Sequence, residues 1–292
     1  MKKRNLLNIV LTVAVMAFLS ALLLSLSPPG KKNIGLQLYS IRDSIRKDVP
    51  GAIEKVAKMG YTFVEAAGYS NGKLYGMDPV EFRNLLEKNG LYMLSSHTGQ
   101  NPPADGNLEK VMAWWDQCID AHLAAGAKYI VQPSMGRDAY QSLEGILKYC
   151  DYFNKVGEKC NAKGIKFGYH NHSGEFTTEF DGKPLYDHML KNTDPEKVFF
   201  QLDLYWCVEG KKNPVDYFKK YPGRFILWHI KDKEEIGASG QMDFASMWAA
   251  AKISGMKYGI VEVERYNYDQ FTSCRKSLEF LNNAPYVKMP KK

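Results

Sequence analysis

Eight times between Lys32 and the C-terminal end, a short apolar run is followed by a stretch with helical periodicity. The runs are Ile34 to Ser40, Thr62 to Ala66, Tyr92 to Ser96, Lys128 to Gln132, Ile165 to His170, Val198 to Leu204, Phe225 to Ile230 and Tyr258 to Val263. Helical patterns lie between them, among them Val49 to Met59, Ala139 to Lys163 and Phe244 to Ser254, and a last one spans Gln270 to Leu281. Their ends are marked. Gly60 stops the first, and Asp78 followed by Pro79 opens the next, which Gly90 closes. Parallel strands cannot be joined by tight hairpins and need crossover helices, so the alternation predicts an α/β fold with a parallel sheet. Eight such units over about 260 residues match a closed (β/α)8 TIM barrel. The rival open, doubly wound sheet usually carries a glycine-rich phosphate loop after its first strand. Leu38-Tyr39-Ser40-Ile41-Arg42 stands there instead. No linker or change of composition divides residues 33–285, so they are expected to form one domain.

Composition removes several classes of function. With 45% hydrophobic and 24% charged residues in 292, the chain is an ordinary globular one that needs neither disulfide nor metal merely to fold. The net charge of +7 comes mostly from the two ends, where Lys2, Lys3, Arg4, Lys288, Lys291 and Lys292 account for six of the seven. The body has no basic stripe, which speaks against a nucleic-acid partner. The cysteines, Cys118, Cys150, Cys160, Cys207 and Cys274, contain no CxxC pair, so a zinc ribbon or thioredoxin-type site is not expected; most are expected to be small core residues, with one disulfide the alternative.

Residues 1–30 read as an address. A basic flank from Met1 to Asn5 precedes a charge-free apolar run from Leu6 to Ser27, which is the layout of a secretory signal and almost long enough to span a membrane. The expectation is export to the periplasm, either as a soluble protein after cleavage or tethered to the inner membrane through residues 6–27, with the body on the outer side.

In such a barrel the active site lies at the carboxyl ends of the strands. Polar residues gather there: His97 after the third strand, His170 and His172 with Glu175 at the fifth, Asp203 and Trp206 at the sixth, His229 and Lys231 at the seventh, and Glu262 and Glu264 at the eighth. Four of the six histidines therefore fall at one end of the predicted barrel. Strand side chains alternate, so His170 and His172 share a face, as do His229 and Lys231, and Glu262 and Glu264. Burying so many ionisable groups is costly without a counter-ion. A divalent cation offsets that cost, and imidazole with carboxylate ligands suits Mn, Zn, Co or Fe(II).

Tyr169-His170-Asn171-His172, Leu202-Asp203-Leu204-Tyr205-Trp206, His229-Ile230-Lys231-Asp232 and Val261-Glu262-Val263-Glu264 resemble the motifs of the sugar phosphate isomerase/epimerase superfamily, the xylose-isomerase-like barrels. The resemblance covers about residues 33–285 and implies one divalent metal ion (Mn, Zn, Co, Fe or Mg) held by Asp203, His229 and Glu262. The glutamate that the superfamily places on strand five aligns with His170, so the fourth ligand is open between His170, His172 and a water. The implied reaction removes a proton next to a carbonyl. Glu175 and His172 are then the acid–base candidates, Lys231 a substrate-oxygen ligand and Glu264 a group that orients a metal ligand. His97, Tyr39, Trp206 and Trp228 are expected to line the pocket, with core packing the alternative for the aromatic three. Export favours a free sugar, a cyclitol or a keto-sugar over a phosphorylated one. The alternatives are a keto-glycoside lyase using the same proton abstraction, a non-catalytic sugar-binding barrel, and a three-zinc DNA-repair endonuclease, which the low body charge disfavours.

Overall fold

The computed structural model describes residues 32–290. The expected signal or tether in residues 1–30 lies outside them, and among the described residues no helix is long and apolar enough to cross a membrane. Eight parallel strands close a barrel: β1 (Ile34–Gln37), β2 (Phe63–Ala66), β3 (Met93–His97), β4 (Tyr129–Gln132), β5 (Lys166–His170), β6 (Val198–Asp203), β7 (Leu227–Ile230) and β8 (Tyr258–Val261). Each pairs with its chain neighbours, and β8 returns to β1. The principal helices outside are α1 (Val49–Met59), α2 (Pro79–Lys88), α3 (Leu108–Ala124), α4 (Leu143–Ala162), α5 (Leu185–Asn192), α6 (Pro214–Lys220), α7 (Phe244–Ala249) and α8 (Gln270–Asn283).

Local chemistry accounts for the boundaries. The Asp48 and Asp78 side chains cap α1 and α2, and Gly60 ends α1 at φ 104°. Several elements are shorter than the sequence suggests, and three of them shape the site or its surroundings. β1 stops at Gln37 because its side chain accepts the Tyr39 amide and turns the chain into a 3-10 turn over Leu38–Ile41. α4 starts only at Leu143, where Ser142 caps it, and Arg137–Tyr140 forms a separate 3-10 turn. β8 ends at Val261, so Glu262 and Glu264 come after the strand rather than lie in it.

Two apolar layers surround the sheet. The outer one packs strands against helices. The inner one fills the amino-terminal half of the barrel with Phe63, Leu94, Tyr129, Val131, Phe199, Leu227 and Ile260. Two glycines make room for its largest rings: a Cβ at Gly35 would meet the Phe63 ring at 2.1 Å, and one at Gly168 would meet Phe199 at 2.5 Å. All five cysteines are buried and unpaired in the core, as expected. Lys32 ties the start of β1 to the end of α8, donating to the Leu281 and Ala284 carbonyls.

Candidate active site

One step up from the apolar inner layer, the strands turn polar. Glu65 comes two residues after Phe63, Gln201 two after Phe199, His229 two after Leu227 and Glu262 two after Ile260, so each points the same way into the barrel. Register brings them side by side: Gln37 pairs with Glu65, Glu65 with Ser95, His170 with Gln201, and Asp203 with His229. On β3 the pattern is broken. Between Val64 and Glu65 the β2–β3 ladder slips, with Met93 and Ser95 as successive partners, so Leu94 is an extra residue. Such a bulge re-aims the side chains beyond it. Leu94 enters the apolar layer, and Ser95 and His97 nevertheless face inward above it.

His170, Asp203, His229 and Glu262, all buried, offer donor atoms that lie within 4.8 Å of one another. His170, His229 and His97 also cluster, their rings 4.6 to 4.9 Å apart. The Asp203 Oδ1 caps the next turn by accepting the Trp206 amide at 2.8 Å, whereas the buried Oδ2 has no hydrogen-bond partner and sits 4.0 Å from His170 Nε2. A buried, unpartnered carboxylate oxygen is costly unless something cationic reaches it. Burial holds Asp203 well above the usual carboxylate range, and the nearby Lys231 ammonium only partly opposes this. Two imidazoles and two carboxylates form a donor set that a divalent first-row metal accepts. Ligand bonds near 2 Å keep donor atoms within roughly 4 Å of each other, close to the separations of up to 4.8 Å found here.

Two cationic groups, one beside the cluster and one within it, face its carboxylates. Lys231, also buried, donates to Glu262 at 3.0 Å, pairs with Glu264 at 2.5 Å and lies 5.3 Å from the Trp206 ring centre. Burial disfavours its ammonium, but Glu262, Asp203 and Glu264 outweigh that and raise its pKa. His229 lies between Glu65 and Glu262, 2.6 Å from the first by Nε2 and 3.4 Å from the second by Nδ1. Burial opposes its charge, yet Glu262 and Glu65 prevail and push its pKa up to about 10. A cavity of about 330 Å³ opens above the cluster, lined by Tyr39, Ala67, His97, Pro133, Ser134, His170, His172, Glu262 and Glu264. A larger groove of about 600 Å³, on the flank between Pro102 and α4, contains no histidine and lies away from this chemistry.

Of the residues singled out from sequence, Tyr39, His97, His170, His172, Glu262 and Glu264 border the cavity, and Asp203, His229, Lys231 and Trp206 lie beneath or beside it. Two do not. Trp228 is fully buried outside the barrel, stacked on Phe218 at 4.8 Å and against Trp248. Its neighbour His229 faces inward, so alternation sends Trp228 outward, and it is a packing residue. Glu175 is fully buried in a short helix, Gly174–Thr177, behind the β5 loop. Its carboxylate accepts from the Tyr169 and Tyr140 hydroxyls at 2.6 and 3.0 Å and from the His172 amide at 3.0 Å. It braces the loop that presents His172 and does not border the cavity.

Sequence reasoning passes over Glu65, the most connected side chain of the site. It is wholly buried and accepts from Gln37, Ser95 and Gln201 at 2.8, 2.6 and 2.8 Å, in addition to His229, with His97 Nε2 at 3.1 Å. Burial alone would raise its pKa, but His97, His229 and these hydrogen bonds hold it down at about 2. The available signal is a single acid within an otherwise apolar strand, two residues after an inward phenylalanine.

A family model described as xylose isomerase-like TIM barrel matches residues 53–284. The chain belongs to that family. A solved structure of a sugar phosphate isomerase/epimerase from Parabacteroides distasonis ATCC 8503 superposes with a TM-score of 0.82 at 34% identity, over 88% of this chain and 100% of that one. Among curated proteins, the inosose dehydratase of Geobacillus kaustophilus is 22% identical over 227 residues, 68% of this chain and 71% of that enzyme. The inosose dehydratase of Salmonella agona is 25% identical over 57% of this chain and 58% of its own length.

Proposed function

We propose that this family member is a metal-dependent enzyme of the isomerase/epimerase type, which removes the proton next to the carbonyl of a sugar, a cyclitol or a keto-sugar. The observation that carries the reading is the convergence of His170, Asp203, His229 and Glu262, with Asp203 Oδ2 unpartnered, beneath the mouth cavity. A divalent ion held there would polarise a substrate carbonyl. The rest falls to this chain's side chains. His172, whose pKa burial lowers, is neutral near pH 7 and fits the base. Glu264, half-buried and also on the cavity wall, fits the group that returns or relays the proton. Lys231 can donate to a substrate oxygen while neutralising Glu262 and Glu264. Tyr39, on the cavity wall, fits packing against the apolar side of a sugar, with Trp206 behind His172 as support.

The Parabacteroides relative, by its name, acts on sugar phosphates, which supports the carbohydrate class. The dehydratase names favour a second reading, in which the same abstraction leads to loss of a leaving group, making the enzyme a dehydratase or keto-glycoside lyase. The basic and apolar segments of residues 1–30 support export, with free rather than phosphorylated substrates. Elemental analysis, then incubation of the metal-loaded protein with free sugars, inososes and keto-glycosides in D2O, tests the reaction and its metal. One equivalent of metal and deuterium at a carbon next to a carbonyl are expected, and an eliminated product would select the second reading. A protein that takes up no divalent metal and exchanges no proton on any of these would overturn both.

A further inference from the structure

Glu65 does more than fill a polar layer. An ionised carboxylate only accepts hydrogen bonds, so every group that meets it must donate. Gln201 presents its side-chain nitrogen to Glu65 at 2.8 Å, which fixes the amide's orientation. Its oxygen therefore faces the other way, toward His170 Nδ1 at 3.1 Å and His97 Nε2 at 2.7 Å. An amide oxygen also only accepts, so His170 must carry its proton on Nδ1. That leaves the Nε2 lone pair on the side of Asp203 Oδ2. On the other flank, His229 Nε2 donates directly to Glu65 at 2.6 Å, which turns Nδ1 toward the Glu262 carboxylate at 3.4 Å. One carboxylate thus dictates which nitrogen each of two imidazoles turns toward the carboxylates of the cluster.

We propose that Glu65 is the positioning residue that sets the ring tautomer of His170, through Gln201, and the ring orientation of His229, directly, so that His170 Nε2 and His229 Nδ1 are the nitrogens turned toward one metal ion, which displaces the remaining His229 Nδ1 proton when it binds. The inference rests on the reading of these two histidines as ligands. Partners of this kind typically change metal affinity about 10- to 100-fold.

The test uses the full chain, stripped of metal by chelation. Long-range proton–nitrogen NMR of 15N-labelled protein, with the His170 signals identified by their loss in His170→Gln, reads the tautomer. A wild-type His170 with the proton on Nδ1 is expected. In Glu65→Gln the new amide can donate, Gln201 is free to flip, and a mixture of His170 tautomers should appear. Zn2+ affinity, measured by competition with a chelating dye, should fall about 10- to 100-fold. Gln201→Met cuts the branch to His170 and leaves that to His229, so its loss should be smaller. This variant also decides the matter if Glu65→Gln does not fold. A wild-type His170 protonated on Nε2 would overturn the inference, as would Glu65→Gln and Gln201→Met variants with unchanged tautomers and Zn2+ affinity within about threefold, well short of the typical range for such partners. If the wild type binds no Zn2+ yet shows the expected tautomer, the ligand reading fails and the relay stands.

Discussion

The two halves of the barrel interior are built from the same strands and differ in almost everything else. Below, Phe63, Leu94, Tyr129, Val131, Phe199, Leu227 and Ile260 pack as one apolar cluster. Above, within one pleat, Glu65, His97, His170, Gln201, Asp203, His229 and Glu262 form a hydrogen-bonded and charged network. Apolar packing is non-directional and tolerates exchange of shape at moderate cost. A buried polar network requires every donor to meet an acceptor. The lower half therefore carries stability, and the upper half gives some of it up to keep one unpaired carboxylate oxygen ready.

Variants should separate the halves. The largest effect is expected from Asp203→Ala, which removes the carboxylate whose Oδ2 no protein donor satisfies. Bound metal and turnover should both drop below ~1% of wild type, given the size of ligand effects, while the metal-free protein loses no more than the ~0.5–2 kcal/mol of the cap that Asp203 Oδ1 makes to Trp206. Full metal content by elemental analysis would remove the ligand role. His172→Ala should keep its metal and lose about 10²–10⁴-fold in kcat, and a loss under about threefold would exclude it as the base. In the lower half, Phe199→Ala should cost ~3–5 kcal/mol in denaturant unfolding and leave metal stoichiometry unchanged. A shift in metal affinity there would mean that the two halves are not independent.

The pH dependence of the metal-free protein sharpens the contrast. His229 has its pKa raised from 6.5 to about 10, so its contribution is complete below pH 6.5 and is lost as pH rises through 10. Glu65 is lowered from 4.5 to about 2, so its contribution is present above pH 4.5 and lost as pH falls through 2. Between about pH 4.5 and 6.5 both of these contributions are complete, and each is lost on its own side by an amount on the order of a few kcal/mol, leaving one acid and one alkaline limb. His229→Gln should flatten the alkaline limb in thermal melts, and an unchanged limb would refute the assignment. The smallest effect is expected from Glu175→Gln, which keeps its shape and hydroxyl partners behind the loop. We expect a loss of no more than about tenfold in kcat, and a loss as large as that of His172→Ala would return Glu175 to the proton-transfer step.

Much of this is legible in the sequence because two periodicities carry it. Alternating apolar runs and helical stretches define the eight strands, and motifs at their carboxyl ends bring His170, Asp203, His229 and Glu262 to one point. Proximity to His229 suggests Trp228 as a pocket residue, although alternation alone turns it outward. Glu175 is harder to place because it comes after its strand, where alternation no longer applies and a short helix decides direction. Glu65 escapes notice because one acid in a four-residue apolar strand looks like a tolerated exception. Its partners come from β1, β3, β6 and β7, and only the closed barrel brings them together.

The slip in β3 gives that strand a spare residue. Up to Leu94 the inward positions are the even-numbered ones, and from Ser95 onward they are the odd-numbered ones, so the strand changes phase once in its middle. In a strand without such a slip, losing one residue exchanges core for surface along everything beyond the cut. Losing Leu94 does the reverse. Met93 would still face the helices, Ser95 and His97 would still face the barrel, and alternation would run uninterrupted. Only one plug of the apolar layer would be gone. The frame of β3 is therefore protected at this single point, and a chain that shortens there keeps the wall of its mouth while opening a space beneath it.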